Sequence, residues 1–241
     1  MNQKNSLGLN NCFLDLDDPI ELFKVWMDEA KKTEPNDPNA LSLATSNKNN
    51  IPSVRIVLLK EFNQNGFVFY TNLNSQKGNE LKKNPNAAMC FHWKSLLRQI
   101  RISGTIAQVE DSIADLYYNS RGYDSRIGAW ASKQSKELKN RNELTNSIKK
   151  FKQKFNDENN VPRPNHWSGW NLSPKRIEFW LDGDSRIHER LNYTIDKNGN
   201  WIKSLLSPQK SLARLNDVRF LRIVFSFEFL NTVREFEARF M

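Results

Sequence analysis

The stretch FWLDGDSRIHER, residues 179–190, sets Arg186, His188 and Arg190 at every second position. Alternate side chains of a β-strand share a face, so the spacing predicts two guanidinium groups and an imidazole in one row. Two readings are open: the solvated outer face of an edge strand, or a surface that meets an anionic ligand through arginine forks. Three other stretches hold polar groups in similar settings. RIVLLK, 55–60, places Arg55 and Lys60 at the ends of an apolar run. FYTNLNSQKG, 69–78, runs from a strand into a helix start, where Ser75, the first helical N–H groups and Lys77 can together hold an anion. The plainer alternative there is a capped surface helix with an exposed lysine. SRGYDSRIGAWASKQS, 120–135, gathers Arg121, Ser125, Arg126, Gln134 and Ser135 around a Gly-Ala-Trp turn. Such a loop serves as a binding loop or as a packed corner.

Several chemistries lack a foundation. There is no G-x-G-x-x-G and no Walker A loop, so the familiar nucleotide folds are unsupported. His92, His166 and His188 are far apart in sequence, and no acidic cluster has metal-ligand spacing. No G-x-S-x-G nucleophile elbow is present. Cys12 and Cys90 do not make a disulfide framework, and no run has the apolar length of a membrane span or a signal peptide; the cytoplasm is the expected compartment. The net charge of +9 suits an anionic partner. Nucleic acid is one such partner, and the basic residues of 133–154 are its best support. They are explained equally well as a solvated helix face.

The elements that must position these residues read as α+β. Asp18-Pro19-Ile20-Glu21 has the form of a helix start, with Asp18 as N-cap and Pro19 at the first helical position. Leu22, Phe23, Trp26 and Ala30 continue it as an apolar stripe. Strands are expected at 40–46, 53–60, 66–72, 87–93 and 96–110, and again near 175–181, 186–193 and 200–206. In the 96–110 run, Arg98, Ile100, Ile102, Gly104 and Ile106 take one face. Helical composition marks 75–84, 111–120 and 136–156; 121–135 reads as a loop and NNVPRPN as a proline-broken linker. Many antiparallel strands with helices at the margins suggest a barrel with flanking helices.

Together, RIVLLK, FYTNLxSxKG, RQIRxxG, SRxxDSxIGAWASKQS, PNHWSGW and IEFWxxGxxRxHxR, in this order over roughly residues 18–208, resemble the pyridoxamine 5′-phosphate oxidase family. The resemblance implies an antiparallel FMN-binding split β-barrel, built as a homodimer with flavin sites at the interface. It implies flavin contacts along Arg55, Ile56, Val57, Leu58, Leu59 and Lys60, and at Tyr70, Thr71, Gln76, Lys77, Gln99, Gln134, Ser135, Trp180 and Arg190. Lys60, Tyr117, Arg121 and Ser125 match substrate contacts, the last three at its phosphate. Arg186 and His188 match the pair placed over the substrate ring and are the catalytic candidates. The implied counter-charges of Arg186, His188 and Arg190 are ligands rather than acidic side chains. The implied reaction oxidises pyridoxamine 5′-phosphate or pyridoxine 5′-phosphate to pyridoxal 5′-phosphate, with O2 as acceptor and H2O2 as product.

The sequence departs from the family pattern at Gln76, where a basic residue is usual, and at Leu205, which replaces an arginine in WIKSLLSP. Residues 209–241 extend past the usual end with six of the 15 phenylalanines, read either as an added element docked on the dimer or, by preference, as poorly ordered sequence of no selected function, and residues 1–17 read as a flexible N-terminal segment. A non-catalytic split-barrel protein that binds flavin or pyridoxal phosphate is the alternative function. No nucleic acid or membrane partner is expected.

Overall fold

The first helix, α1 (Pro19–Thr33), begins as its sequence requires: the Asp18 carboxylate accepts from the backbone N–H of Ile20 at 2.8 Å, and Pro19 occupies a position that needs no donor. Its apolar stripe buries Ile20, Leu22, Phe23, Trp26, Met27 and Ala30. Phe23 is its anchor in the core, meeting Phe62, Phe67 and Phe91 edge-on with centroids at 4.7, 5.0 and 5.3 Å. This computed structural model describes residues 13–183 and 186–207. The 209–241 extension and residues 1–12 lie outside the described residues.

Among the described residues, nine strands form one antiparallel sheet: β1 (Ala40–Ser46), β2 (Pro52–Leu58), β3 (Glu61–Asn63), β4 (Gly66–Asn72), β5 (Asn86–Trp93), β6 (Arg98–Gln108), β7 (Trp167–Leu181), β8 (Glu189–Ile195) and β9 (Trp201–Leu205). The main order is β2-β1-β5-β6-β7-β4-β3. β7 is the hinge of the topology. Against β6 it pairs along most of its length, but its other edge is shared: Trp167 to Leu172 pair with β4, and Arg176 to Leu181 pair with β8. The sheet therefore splits along β7 and curls into a half-barrel. Pro174 and a register shift opposite Ser103/Gly104 mark the division. Gly104 is required there, since a Cβ would lie 2.0 Å from the Ser173 carbonyl oxygen.

Among the described residues, α1 and four further helices flank the sheet: α2 (Gln76–Lys83), α3 (Asp111–Asn119), α4 (Tyr123–Ala131) and α5 (Arg141–Lys154). The alternation expected in 96–110 is present, with Arg98, Ile100, Ile102 and Ile106 buried.

Several boundaries differ from the sequence reading. Most of the expected loop 121–135 is helix α4; its Arg126 is a buried strut that donates to the Glu158 carbonyl at 2.6 Å. Helix α5 starts only at Arg141, where the Asn140 side chain caps it. β7 begins at Trp167, earlier than 175, because the tryptophan-rich run after the prolines pairs with β4. β2 ends at Leu58, and the short β3 was not foreseen. The most consequential correction concerns the strand expected from Arg186. β8 begins at Glu189, and Arg186 lies in the β7–β8 connection with a positive φ of 63°. The chain turns tightly at Gly183, where a Cβ would lie 1.9 Å from the Ile187 carbonyl oxygen. Arg186 and His188 are thus set by a turn, and the period of two does not extend through them.

Candidate functional site

The sequence-predicted residues fall into two clusters at opposite ends of β7. The first lies where β4 meets α2, α3 and α4. Tyr70 and Thr71 pair across the sheet with Gly169 and Ser168. A cleft of about 370 Å³ opens here, with Tyr70, Thr71, Arg121, Ser125, Gln134 and Trp167 in its wall. Tyr70 and Trp167 line it, and Tyr117 stacks with them: Tyr70 is 4.0 Å from Tyr117 and 5.3 Å from Trp167, with interplanar angles of 15° and 10°. The Arg121 guanidinium sits 4.8 Å over Trp167, and its Nη1 is buried without a hydrogen-bond partner. Burial works against that charge, more than the neighbouring tyrosines favour it, and lowers the Arg121 pKa. A buried, partnerless guanidinium donor beside Ser125 is what an anionic ligand would satisfy.

Beside this cleft, Lys77 projects from the first turn of α2. Ser75 caps that helix by accepting from Gly78 N–H at 3.3 Å. Of the two readings of this stretch, the surface helix with an exposed lysine fails, because Lys77 is buried: Lys77 Nζ donates to Thr71 Oγ1 at 3.1 Å, and Thr71 in turn donates to Gln134 Oε1 at 3.4 Å. Burial, followed by the nearby charge of Arg55, pulls the Lys77 pKa down. Arg55 is committed to the protein, with Nη1 donating to Leu43 O at 3.2 Å and Nη2 reaching Glu80 Oε2 at 3.3 Å. Among the described residues Glu80 is the one acid of this network, and it also accepts from Ser53, Thr45 and Gln76. Two cations around one carboxylate leave a positive excess suited to a phosphate. The donor chemistry here fits the phosphate of FMN.

The rest of the RIVLLK run is laid out by strand alternation. Val54 and Ile56 are exposed, while Arg55, Val57 and Leu58 are partly covered. Leu59 is buried, and Lys60 is exposed with its backbone N–H bonded to Val68 O at 2.9 Å. Gln76 is exposed and turns toward Glu80 at 2.9 Å. Ser135 is exposed in the left-handed region, at φ 68°.

The second cluster sits at the far end of β7, where Gln99, Trp180 and Arg190 are cross-strand neighbours in one row of β6, β7 and β8. The His188 ring is 4.6 Å from Trp180. Eleven strand positions separate Gly169, beside Tyr70, from Trp180; at about 3.3 Å per residue, roughly 35 Å of strand lies between the clusters. One chain does not bring them together along β7.

The expectation that this row lacks acidic partners is corrected. Glu178 Oε1 accepts from Arg190 Nε at 2.9 Å and from Nη2 at 2.7 Å, and Asp182 Oδ1 lies 3.1 Å from His188 Nδ1. Sequence reasoning missed Glu178, Asp182, Glu80 and Trp167. For Glu178 a signal was available, since it stands two positions before Trp180 and shares its face. No group of three or more metal-ligating side chains occurs among the described residues.

Comparison with known proteins gives a consistent picture. A family model described as pyridoxamine 5′-phosphate oxidase matches residues 27–155, and one for the pyridoxine 5′-phosphate oxidase C-terminal dimerisation region matches 167–208. The pyridoxine/pyridoxamine 5′-phosphate oxidase of Pelagibacter ubique is 73% identical over 208 residues, which is 86% of this chain and 100% of that protein. The enzyme of the same name from Allorhizobium ampelinum is 49% identical over 197 residues, covering 81% and 95%. Among solved structures, Burkholderia lata PhzG in complex with tetrahydrophenazine-1-carboxylic acid has a TM-score of 0.76 at 31% identity, covering 80% of this chain and 94% of that one. A pyridoxamine 5′-phosphate oxidase-related, FMN-binding protein from Nostoc punctiforme has a TM-score of 0.64 at 16% identity, covering 83% and 100%, and shares the fold.

Proposed function

Because the chain belongs to the pyridoxamine 5′-phosphate oxidase family, we propose that it is an FMN-dependent enzyme that oxidises pyridoxamine 5′-phosphate and pyridoxine 5′-phosphate to pyridoxal 5′-phosphate. The observation that carries this reading is the first cleft. A row of parallel rings there adjoins two cations, the buried Lys77 and the half-buried Arg121 with its partnerless Nη1, in a chain whose two expected ligands both carry an aromatic ring and a phosphate.

Held by these residues, FMN would supply the hydride-accepting chemistry of the oxidation, with O2 as the final electron acceptor and H2O2 as product. The protein's share is binding and orientation. Arg121, Ser125 and Tyr117 hold the substrate phosphate, and Arg121 gains there the partner its buried Nη1 lacks. Lys77 and Arg55 neutralise the FMN phosphate. Tyr70, Thr71, Gln134 and Ser135 line its path, and Lys60 reaches toward the substrate. Gln99, Trp180 and Arg190 bear on the flavin ring system from the other cluster, where Arg186 and His188 hold the substrate ring.

The clusters stand at opposite ends of β7, and the match to a dimerisation region covers 167–208. Both support a homodimer in which the second cluster of one copy completes the first cluster of the other, with FMN between them. Within the chain we assign 18–208 to the oxidase domain and treat 209–241 as an addition outside it. No described helix is long and apolar enough to cross a membrane, and the cytoplasm is the proposed compartment. The test is oxygen uptake by the purified protein with pyridoxamine 5′-phosphate, together with its sedimentation. A yellow dimer that consumes O2 and forms the aldehyde supports the reading. A flavin-loaded protein without turnover points to the non-catalytic alternative, and a monomer at full FMN occupancy removes the shared site.

A further inference from the structure

Glu178 is 2% exposed and is surrounded by three arginines. Its Oε2 accepts from Arg176 Nη2 at 2.9 Å and faces Arg101 Nη1 at 3.4 Å. Its Oε1 takes two bonds from Arg190, at Nε and Nη2. The arginines are not equivalent. Arg101 and Arg176 have side chains 55% and 41% exposed, so water can solvate their charge without Glu178. Arg190 is 18% exposed, and its Nη1 is held from the other side by the Ser207 carbonyl at 3.1 Å. Its guanidinium is therefore clamped in one plane, by a carboxylate on β7 and by the backbone beyond β9.

The register of the sheet gives this clamp its meaning. Gln99, Trp180 and Arg190 form one cross-strand row. The adjacent row on the same face is Arg101, Glu178 and Asn192. Glu178 is thus two positions from Trp180 on the same strand, directly behind the residues proposed to meet the flavin. A long arginine that must present its remaining N–H groups to a ligand loses rotamer freedom when it does so. A buried carboxylate that fixes it beforehand removes that cost from binding.

We infer that Glu178 is the positioning residue for Arg190, holding its guanidinium in the orientation that binds FMN. The inference rests on the proposed role of Arg190 as a flavin contact. Glu178 itself acts through Arg190.

The experiment titrates the apo-protein with FMN, following quenching of flavin fluorescence, for wild type, Glu178→Gln, Arg190→Lys and the double variant. Hydrogen bonds to charged groups contribute about 1.5–3 kcal/mol, so Glu178→Gln should weaken FMN affinity by roughly tenfold to a hundredfold. If Glu178 works through Arg190, the double variant should bind FMN within about threefold of Arg190→Lys alone, the non-additivity of a coupled pair. Arg176→Gln, which removes another partner of the same carboxylate, should stay within about twofold of wild type. Additive losses, or wild-type affinity in Glu178→Gln beside a weakened Arg190→Lys, overturn the inference while leaving the role of Arg190 intact. Wild-type affinity in Arg190→Lys overturns both. Should Glu178→Gln fail to fold, Glu178→Asp keeps the charge but withdraws it from Arg190, and wild-type FMN affinity in that variant overturns the inference equally.

Discussion

The rings of Tyr70 and Tyr117 lie 4.0 Å apart and within 15° of parallel. One comes from strand β4 and is assigned to the cofactor; the other comes from helix α3 and is assigned to the substrate phosphate. Burial, followed by Glu61 and Tyr117, pushes the Tyr70 hydroxyl up to about 12, so it remains a neutral donor at working pH. The stack makes the two ligand sites neighbours and ties the helix to the sheet. Tyr117→Phe keeps the stack and removes a hydroxyl. The substrate KM should rise about three- to tenfold, the value of one hydrogen bond, with FMN affinity unchanged. Tyr117→Ala also removes the stacking, a further loss of about 0.5–1.5 kcal/mol, and FMN affinity should fall as well. Identical FMN affinities and KM values in the two variants would remove the stack from the account.

Lys77 gives a pH dependence to cofactor binding. Its pKa in the free protein is lowered below the ordinary 10.5 by burial and then by Arg55. A bound phosphate favours the ammonium form, so the pKa rises in the complex. FMN binding therefore takes up protons at alkaline pH, and affinity should decline as pH rises through the lowered pKa toward 10.5. FMN dissociation constants measured between about pH 7 and pH 10 check this. Lys77→Met should bind FMN about tenfold or more weakly, with a flatter pH profile. An equally steep alkaline decline in Lys77→Met would assign the titration to another group.

The sequence was most legible where chemistry and periodicity agreed. Asp18-Pro19 predicted the start of α1, and alternation predicted the buried face of β6, because caps and strand faces depend on neighbours along the chain. The cluster of Tyr70, Thr71, Arg121, Ser125 and Gln134 followed from motif resemblance, and the structure gathers those residues around one cleft. What escaped was set by distant partners. Arg186 and His188 kept a spacing of two, yet the turn at Gly183 takes them out of the strand. Nothing local in the sequence singled out Glu80 or Glu178. Only the sheet pairing and the packing of α2 bury them beside Arg55 and Arg190. The sequence left Lys77 open between an anion site and an exposed surface, and the packing of α2 against Thr71 buries it.

Glu80 predicts how the fold responds to acid. Burial alone would raise its pKa, but bonds from Ser53, Thr45 and Gln76, with the charge of Arg55, outweigh that and hold it at about 2 rather than 4.5. A carboxylate with a depressed folded-state pKa contributes stability fully above its unfolded value and loses it as pH falls through the folded value. The contribution, on the order of 3 kcal/mol, should fade between about pH 4.5 and pH 2. Urea unfolding at a series of pH values measures it. Glu80→Gln should be less stable at neutral pH and lose less on acidification. Parallel curves for the two proteins would contradict the network around Arg55.

Arg186 offers the sharpest test of the proposed catalytic end of the site. It holds a left-handed backbone at φ 63°, which costs a non-glycine residue about 1–2 kcal/mol. Substituting lysine leaves that backbone cost in place, so Arg186→Lys isolates the side chain. The charge is kept and the planar fork is lost. If the fork orients the substrate ring, a misplacement of about 1 Å can reduce turnover roughly a hundredfold. The flavin-to-protein ratio should hold, because Arg186 is assigned to substrate. Arg190→Lys should show the opposite pattern, with weaker FMN retention and activity restored by excess FMN, because Arg190 stands in the row with Gln99 and Trp180. The two residues lie at the start of one strand and in the turn that leads into it, so a general folding defect would depress both variants alike. The readouts are flavin content after gel filtration and the initial oxidation rate at saturating FMN. Loss of flavin in Arg186→Lys, beside loss of turnover alone in Arg190→Lys, would exchange the ligands assigned to these two arginines.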